Sequence, residues 1–192
     1  MDKIHPSSSS SNDANSMKEV YTIWMKSLIL NGNGCTIYDS MGNLVYRVDN
    51  YDSKCRCEVY VMDQSGRVLL KLLRKKLRVF GRWEGYKCNG SNEEMKPWFR
   101  VKKRFLKGKE SYCEVWDDNG HLIYYKVVGL PEKSSYKITD LASNIVAEVN
   151  RKQTRSGVIL DDDVLTLKVE PNIDQSLIMG LVVVQGLINH RM

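Results

Sequence analysis

With 192 residues, 42% of them apolar and 27% charged, the chain can bury a sizeable core as one domain or two small ones, which excludes a wholly disordered protein. Five cysteines, an odd number with no export signal beside them, exclude a secreted disulfide framework and indicate reduced thiols. The net charge of +6 is informative through its distribution along the chain rather than its size.

The first 17 residues are read as a disordered, Ser-rich tail, because "MDKIHPSSSSSNDANS" offers only Ile4 and Ala14 as apolar side chains beyond Met1. The tail lacks a secretory apolar stretch, Asp2 stands where myristoylation needs glycine, and His190-Arg191-Met192 is no prenylation box. A cytoplasmic location follows by default, with a nuclear or peripheral membrane position as alternatives. Residues 18–192 are expected to form a single domain.

Four segments then repeat one pattern, apolar alternation broken by Asp-x-x-Gly or a near relative: "CTIYDSMGNLVYRV", "CEVYVMDQSGRVLLKL", "CEVWDDNGHLIYYKV" and "SYKITDLASNIVAEV". Asp at the first turn position and Gly at the fourth suit a type I turn followed by a left-handed residue, so four antiparallel β-hairpins are predicted. In the fourth, Ser143 replaces Gly, and Asn144 is the expected carrier of the positive φ. The aspartates at 39, 63, 117 and 140 repeat with offsets of 78 and 77, and "RKKLR" from Arg74 aligns with "RKQTR" from Arg151. This reads as a duplication into halves of about 20–105 and 110–170. Each half would be a small antiparallel sheet that has to bury one face, and closing both into one barrel is the simplest solution.

The chain ends in an apolar run from Leu177 to Ile188, interrupted by Gln185. Twelve residues are too few for a bilayer core, which needs about 20. A helix over 174–189, capped by Asn172 or Asp174, would be roughly 24 Å long at about 1.5 Å per residue. Apolar on every side, such a helix is buried on every side, and the barrel interior is the space to receive it. Gly180 and Gly186 lower its intrinsic stability and point to close approach of barrel side chains. With the interior filled, recognition is expected on the outer wall or rims.

Trp24-x-Lys26-Ser27, Asn31-Gly32-x-Gly34, Tyr46-Arg47-Val48-Asp49-Asn50-Tyr51 and Arg82-Trp83-Glu84-Gly85-Tyr86 closely resemble the LURP-one-related proteins of plants, over about residues 20–190. That family is similar in fold to the tubby C-terminal domain and to phospholipid scramblases. The resemblance implies about twelve strands closed around a C-terminal helix, a plant source and a link of some members to pathogen defence. It implies no reaction.

Charge is strongly polarised. Residues 66–109 hold fifteen Lys and Arg against three Glu, while the rest of the chain holds fourteen against twenty acids. In "WFRVKKRFLKGK", alternation puts Phe99, Val101 and Phe105 on one face and Arg100, Lys102 and Arg104 on the other, with Lys103 the exception. Arg74, Lys75, Lys76 and Arg78 form a second cluster. These eight cations are the candidate anion-binding residues. An acidic leaflet attracts such residues at about 1 kcal/mol each, and the tubby-like resemblance adds phosphoinositide head groups as ligand. A protein-interaction scaffold using loops such as "KCNGSNEEMKP" is the alternative, followed by nucleic-acid binding or a membrane-tethered transcription-factor-like role, for which no helix-turn-helix, RNP or zinc-finger signature is present.

Catalytic signatures are missing: no G-x-S-x-G, no phosphate-binding glycine loop and no H-E-x-x-H accompany His5, His121 and His190. "NGNG" at 31–34 reads as a turn, Val115 stands where a calcium loop after "VWDDNG" would need its first ligand, and Asp161-Asp162-Asp163 reads as a solvated turn. Cys35, Cys55, Cys57 and Cys113 are placed in strands, and C-x-C without C-x-x-C predicts no zinc site. The expectation is a non-enzymatic protein with no cofactor.

Overall fold

The computed structural model describes residues 17–25, 34–49, 57–76, 81–89, 92–93, 96–103, 111–154 and 156–189. Its strands are β1 (Glu19–Trp24), β2 (Gly34–Tyr38), β3 (Leu44–Asp49), β4 (Glu58–Asp63), β5 (Val68–Lys76), β6 (Gly81–Asn89), β7 (Asn92–Glu93), β8 (Phe99–Lys103), β9 (Ser111–Trp116), β10 (Leu122–Leu130), β11 (Ser135–Thr139), β12 (Ile145–Arg151) and β13 (Val164–Val169). One helix, α1 (Gln175–Ile188), follows. Each strand pairs antiparallel with its sequence neighbours, β13 returns to β1, and β7 is a two-residue appendage of β6. The other twelve strands thus form a closed antiparallel barrel wound in chain order, which leaves the wall no free edge.

The turns carry the repeat. Residues Gly42, Gly66 and Gly120 have φ of 86°, 85° and 81°, and their amides donate to the carbonyls of Asp39, Asp63 and Asp117. In the fourth turn it is Ser143, not Asn144, that takes the positive φ, at 68°. The Asp140 carboxylate explains this, because it accepts from both the backbone and the side-chain amide of Asn144, at 2.8 Å each, and so fixes Asn144 as the first residue beyond the turn. The same grip recurs: Asp39 holds Asn43, Asp63 holds Arg67 and Asp117 holds His121, each through backbone and side chain. A side-chain donor four residues after each Asp is a part of the repeat that the apolar pattern did not reveal. These bonds hold all four carboxyls below the usual carboxylate range, led by the Asn43 side chain at Asp39, Ser65 at Asp63, the His121 backbone at Asp117 and the Asn144 side chain at Asp140.

Alternation along the strands sends Ile23, Ile37, Val61, Leu70, Leu72, Phe99, Val101, Ile138, Val149, Leu165 and Leu167 inward, all at most 1% exposed. They surround α1, whose residues Leu177 to Gly186 are all buried. The Asp174 side chain caps it by accepting from the Leu177 amide at 3.1 Å, while Asn172 takes a left-handed φ of 63° instead. Tyr21 of β1 donates to Gln175 at 2.8 Å and also contacts Glu19, so burial and that carboxylate push its hydroxyl pKa up and keep it protonated. Seven buried apolar side chains on α1, at about 1.5–3 kcal/mol each, make the plug worth at most roughly 10–20 kcal/mol, since the unfolded chain already buries part of this surface. Gly180 permits this fit, since a Cβ there would lie 2.9 Å from Phe99 and 3.0 Å from Leu70. Among the described residues no helix is long and apolar enough to cross a membrane.

The thiols differ in setting. Cys35 and Cys113 are buried in strands, and burial pushes both up to about 12. Cys57 lies in the turn before β4 rather than in a strand, and Cys88 lies in β6. Cys55 and the tail before Met17 lie outside the described residues.

Candidate anion-binding surface

Strand order brings the two sequence clusters together, because β5 and β8 are both neighbours of β6. Lys75 is the register partner of Arg82, and Arg82 of Lys102. Paired residues of adjacent strands share a face, and that face is the exterior, since Trp83 and Val101 on the opposite parity are buried. Lys75, Arg82 and Lys102 therefore form one transverse row, about 10 Å across at the usual strand spacing. Arg74 takes the opposite parity, as register partner of Trp83, and is exposed two residues before the end of β5. The side chains of Lys76 and Lys103, and all of Arg78 and Arg104, lie outside the described residues.

One step along the strands, the row is partly neutralised. Glu84 points outward but is only 3% exposed, covered by its own partners. Arg82 and Arg100 both reach its Oε1 at 3.0 Å, and Tyr86 donates to Oε2 at 2.8 Å. Lys102 pairs with Glu114 at 2.5 Å. Among the described residues, Arg74 and Lys75 have no acidic partner. Five cations against two acids leave the surface with three positive charges.

Beyond Arg100, at the other end of the same strands, lies an open cleft of about 730 Å³ lined by Lys87, Lys96, Trp98, Trp116 and the Asp117–Gly120 turn. Lys87 sits 4.2 Å over the Trp98 ring and Arg100 4.8 Å over Trp116, cation–π contacts that hold both cations at the surface. Arg82 and Glu84, which the sequence offers only as part of a family-like motif, and Lys87 and Glu114 are absent from the sequence-predicted cluster; alternation in "GRWEGYKC" is the available signal for the first two. His121 serves its turn through Asp117, and Asp162 pairs with Arg151 at 2.6 Å. Among the described residues no three His, Cys, Asp or Glu side chains come together.

A twelve-strand barrel wound in order around its own C-terminal helix is the class of protein that the fold defines. The sequence profile of the LURP-one-related family matches residues 19–185. LURP-one-related 11 of Arabidopsis thaliana is 42% identical over 207 aligned positions, covering 98% of this chain and 89% of its own. LURP-one-related 3 of the same plant is 45% identical, covering 86% of this chain and 77% of its own. An X-ray structure of an Arabidopsis thaliana protein superposes with a TM-score of 0.59 at 18% identity, covering 91% of this chain and 93% of that one, which shows a shared fold. The chain belongs to the LURP-one-related family.

Proposed function

We propose that the protein is a non-catalytic module that docks peripherally on acidic phospholipid surfaces, phosphoinositide head groups included, through the outer faces of β5, β6 and β8. The observation that carries this reading is the transverse row of Lys75, Arg82 and Lys102, with Arg74 at its margin. Lysine and arginine near an anionic leaflet contribute about 1 kcal/mol each, so three net charges give reversible association that salt weakens. The helix α1 is buried within the closed wall and so is not available for insertion. The family resemblance adds plant defence signalling as the process served.

A protein partner is the second reading, favoured by Leu122, Val128 and Leu130 on the outer face of β10, each about 40% exposed. Flotation with phosphatidylserine vesicles and with neutral phosphatidylcholine vesicles, beside a duplex DNA shift assay, separates the possibilities. Flotation with acidic vesicles alone supports docking. Binding to DNA without flotation rejects it.

A further inference from the structure

A second basic site stands on the far side of the barrel, made from residues scattered over the acidic part of the chain. A cleft of about 650 Å³ opens over β11, β12 and β13, lined by Lys133, Ser135, Asn150, Arg151, Gln153, Thr166 and Lys168. Its volume is that of small-molecule sites, but among the described residues its walls carry no large apolar side chain, so a hydrated polar ligand fits better than a hydrophobic one.

The floor is set by register. Asn150 pairs with Thr166, and the Ser135 hydroxyl donates to Asn150 Oδ1 at 3.2 Å, so a hydroxyl, an amide and a second hydroxyl lie side by side across three strands. Inward partners Val149 and Leu167 are fully buried, which turns the three polar side chains outward. Three cations surround this floor: Lys133 from the short helical turn Pro131–Lys133, Arg151 from the end of β12 and Lys168 from β13. Among the described residues no acid lines the cleft. Arg151 is held by Asp162, an exposed carboxylate; among the described residues Lys133 and Lys168 make no ion pair, and Glu148, the register partner of Lys168, pairs with Lys137 at 3.7 Å. The cleft over β6, β8 and β9 is different, because Asp117 and Asp118 stand among its cations.

We infer that this cleft binds a phosphate group carried on a small soluble molecule, with Lys133, Arg151 and Lys168 meeting the charge, the Asn150 amide nitrogen and the Thr166 hydroxyl donating to phosphate or ester oxygens, and the Ser135 oxygen, whose proton goes to Asn150, accepting from a ligand hydroxyl. Position decides between the two sources of such a group. Counting round the ring, β12 is five places from β6 in a barrel of twelve, nearly opposite. A membrane engaged by Lys75, Arg82 and Lys102 is planar and does not reach it. The duplication accounts for the placement, since Arg151 at the end of β12 is the repeat counterpart of Arg74 at β5. Head groups belong to the first face and free phosphate compounds to the second.

The test is titration calorimetry of the full chain with inorganic pyrophosphate. Saturable binding is expected, weakened at least about tenfold by Lys168→Gln and further by the pair K133E/K168E, the scale of one charge-assisted hydrogen bond per cation. The pair K75E/K102E on the opposite face leaves the affinity unchanged. Circular dichroism checks that each variant is folded, and the single Gln variant carries the test where the double one is not. Absence of saturable binding, or equal loss in both double variants, overturns the site. A vesicle arm separates the sources: K133E/K168E floats with phosphatidylserine vesicles as the wild-type chain does, and its failure to float would assign the cleft to a lipid head group and overturn the soluble ligand. Because pyrophosphate is read without lipid, the outcome is independent of whether the chain docks on membranes.

Discussion

Phe99 and Gly85 face each other as register partners across β8 and β6, and the Phe99 ring lies where a Gly85 side chain would be: a Cβ there would come within 2.2 Å of two ring carbons. The same two ring carbons, Cε1 and Cζ, also bear on Gly180 of α1, where a Cβ would lie 3.0 and 2.9 Å from them. One aromatic side chain thus fills the gap between wall and plug, and the two glycines supply its room. Gly85→Ala is expected to destabilise by about 3 kcal/mol or more, the upper end for overpacking. Gly180→Ala gains about 1 kcal/mol of helix propensity and loses more to Phe99 and Leu70, a net loss of roughly 1 kcal/mol. Denaturant unfolding checks the order, and Phe99→Leu combined with Gly85→Ala should be less harmful than the sum of the two, as expected for residues in contact.

The four turn aspartates make stability fall in acid. Each has its pKa depressed below the ordinary 3.8 by bonds that exist only in the folded state. A depressed carboxylate contributes stability that is present above its unfolded pKa and is lost as pH falls through the folded one. The loss therefore begins near pH 4 and continues below it. Asp117→Asn should lower stability at neutral pH and flatten the acid limb, as followed by thermal unfolding across that range; an unchanged acid limb in variants of all four would contradict the grip described for these turns.

Thiol reactivity should divide by burial. Cys35 and Cys113, buried and pushed up to about 12, stay protonated and inaccessible in the native chain. Cys57 and Cys88 are half-exposed. Alkylation followed by peptide mass spectrometry is expected to label the second pair first and the first pair only after denaturant is added.

Glu84 sets stability against charge. Glu84→Gln removes the carboxylate beneath Arg82 and Arg100, and should cost roughly 2–3 kcal/mol, less than a fully buried pair because both arginines are about a third exposed. It also adds one net positive charge to the outer face, worth about 1 kcal/mol on an acidic leaflet. The variant should therefore unfold more easily yet bind acidic vesicles several-fold more tightly, a pair of opposite changes that a purely structural Glu84 would not produce.

What the sequence disclosed follows from which forces are local. Hairpin turns were legible because Asp and Gly act within five residues, and the buried helix because no face between Leu177 and Gly186 is polar apart from Gln185. The turn at Ser143 was misassigned to Asn144 because apolar patterning does not show which residue a carboxylate will grip. The basic row was half legible: Arg100 and Lys102 alternate within one strand, but their meeting with Lys75 through Arg82 depends on pairing across β6. Glu84 and Glu114, which neutralise part of it, come from neighbouring strands. The cleft over β11, β12 and β13 was invisible, since its cations are spread singly from Lys133 to Lys168, outside the 66–109 stretch, where acids outnumber cations twenty to fourteen.

The most direct test of membrane docking is the equilibrium affinity of the K75E/K102E variant for phosphatidylserine vesicles at low and at physiological ionic strength. Two reversed charges should cost at least about 2 kcal/mol, roughly a 30-fold loss, with most of the salt dependence of the wild-type chain gone. An affinity equal to that of the wild-type chain, with the same salt dependence, would contradict the assignment of the β5–β6–β8 face as the docking surface.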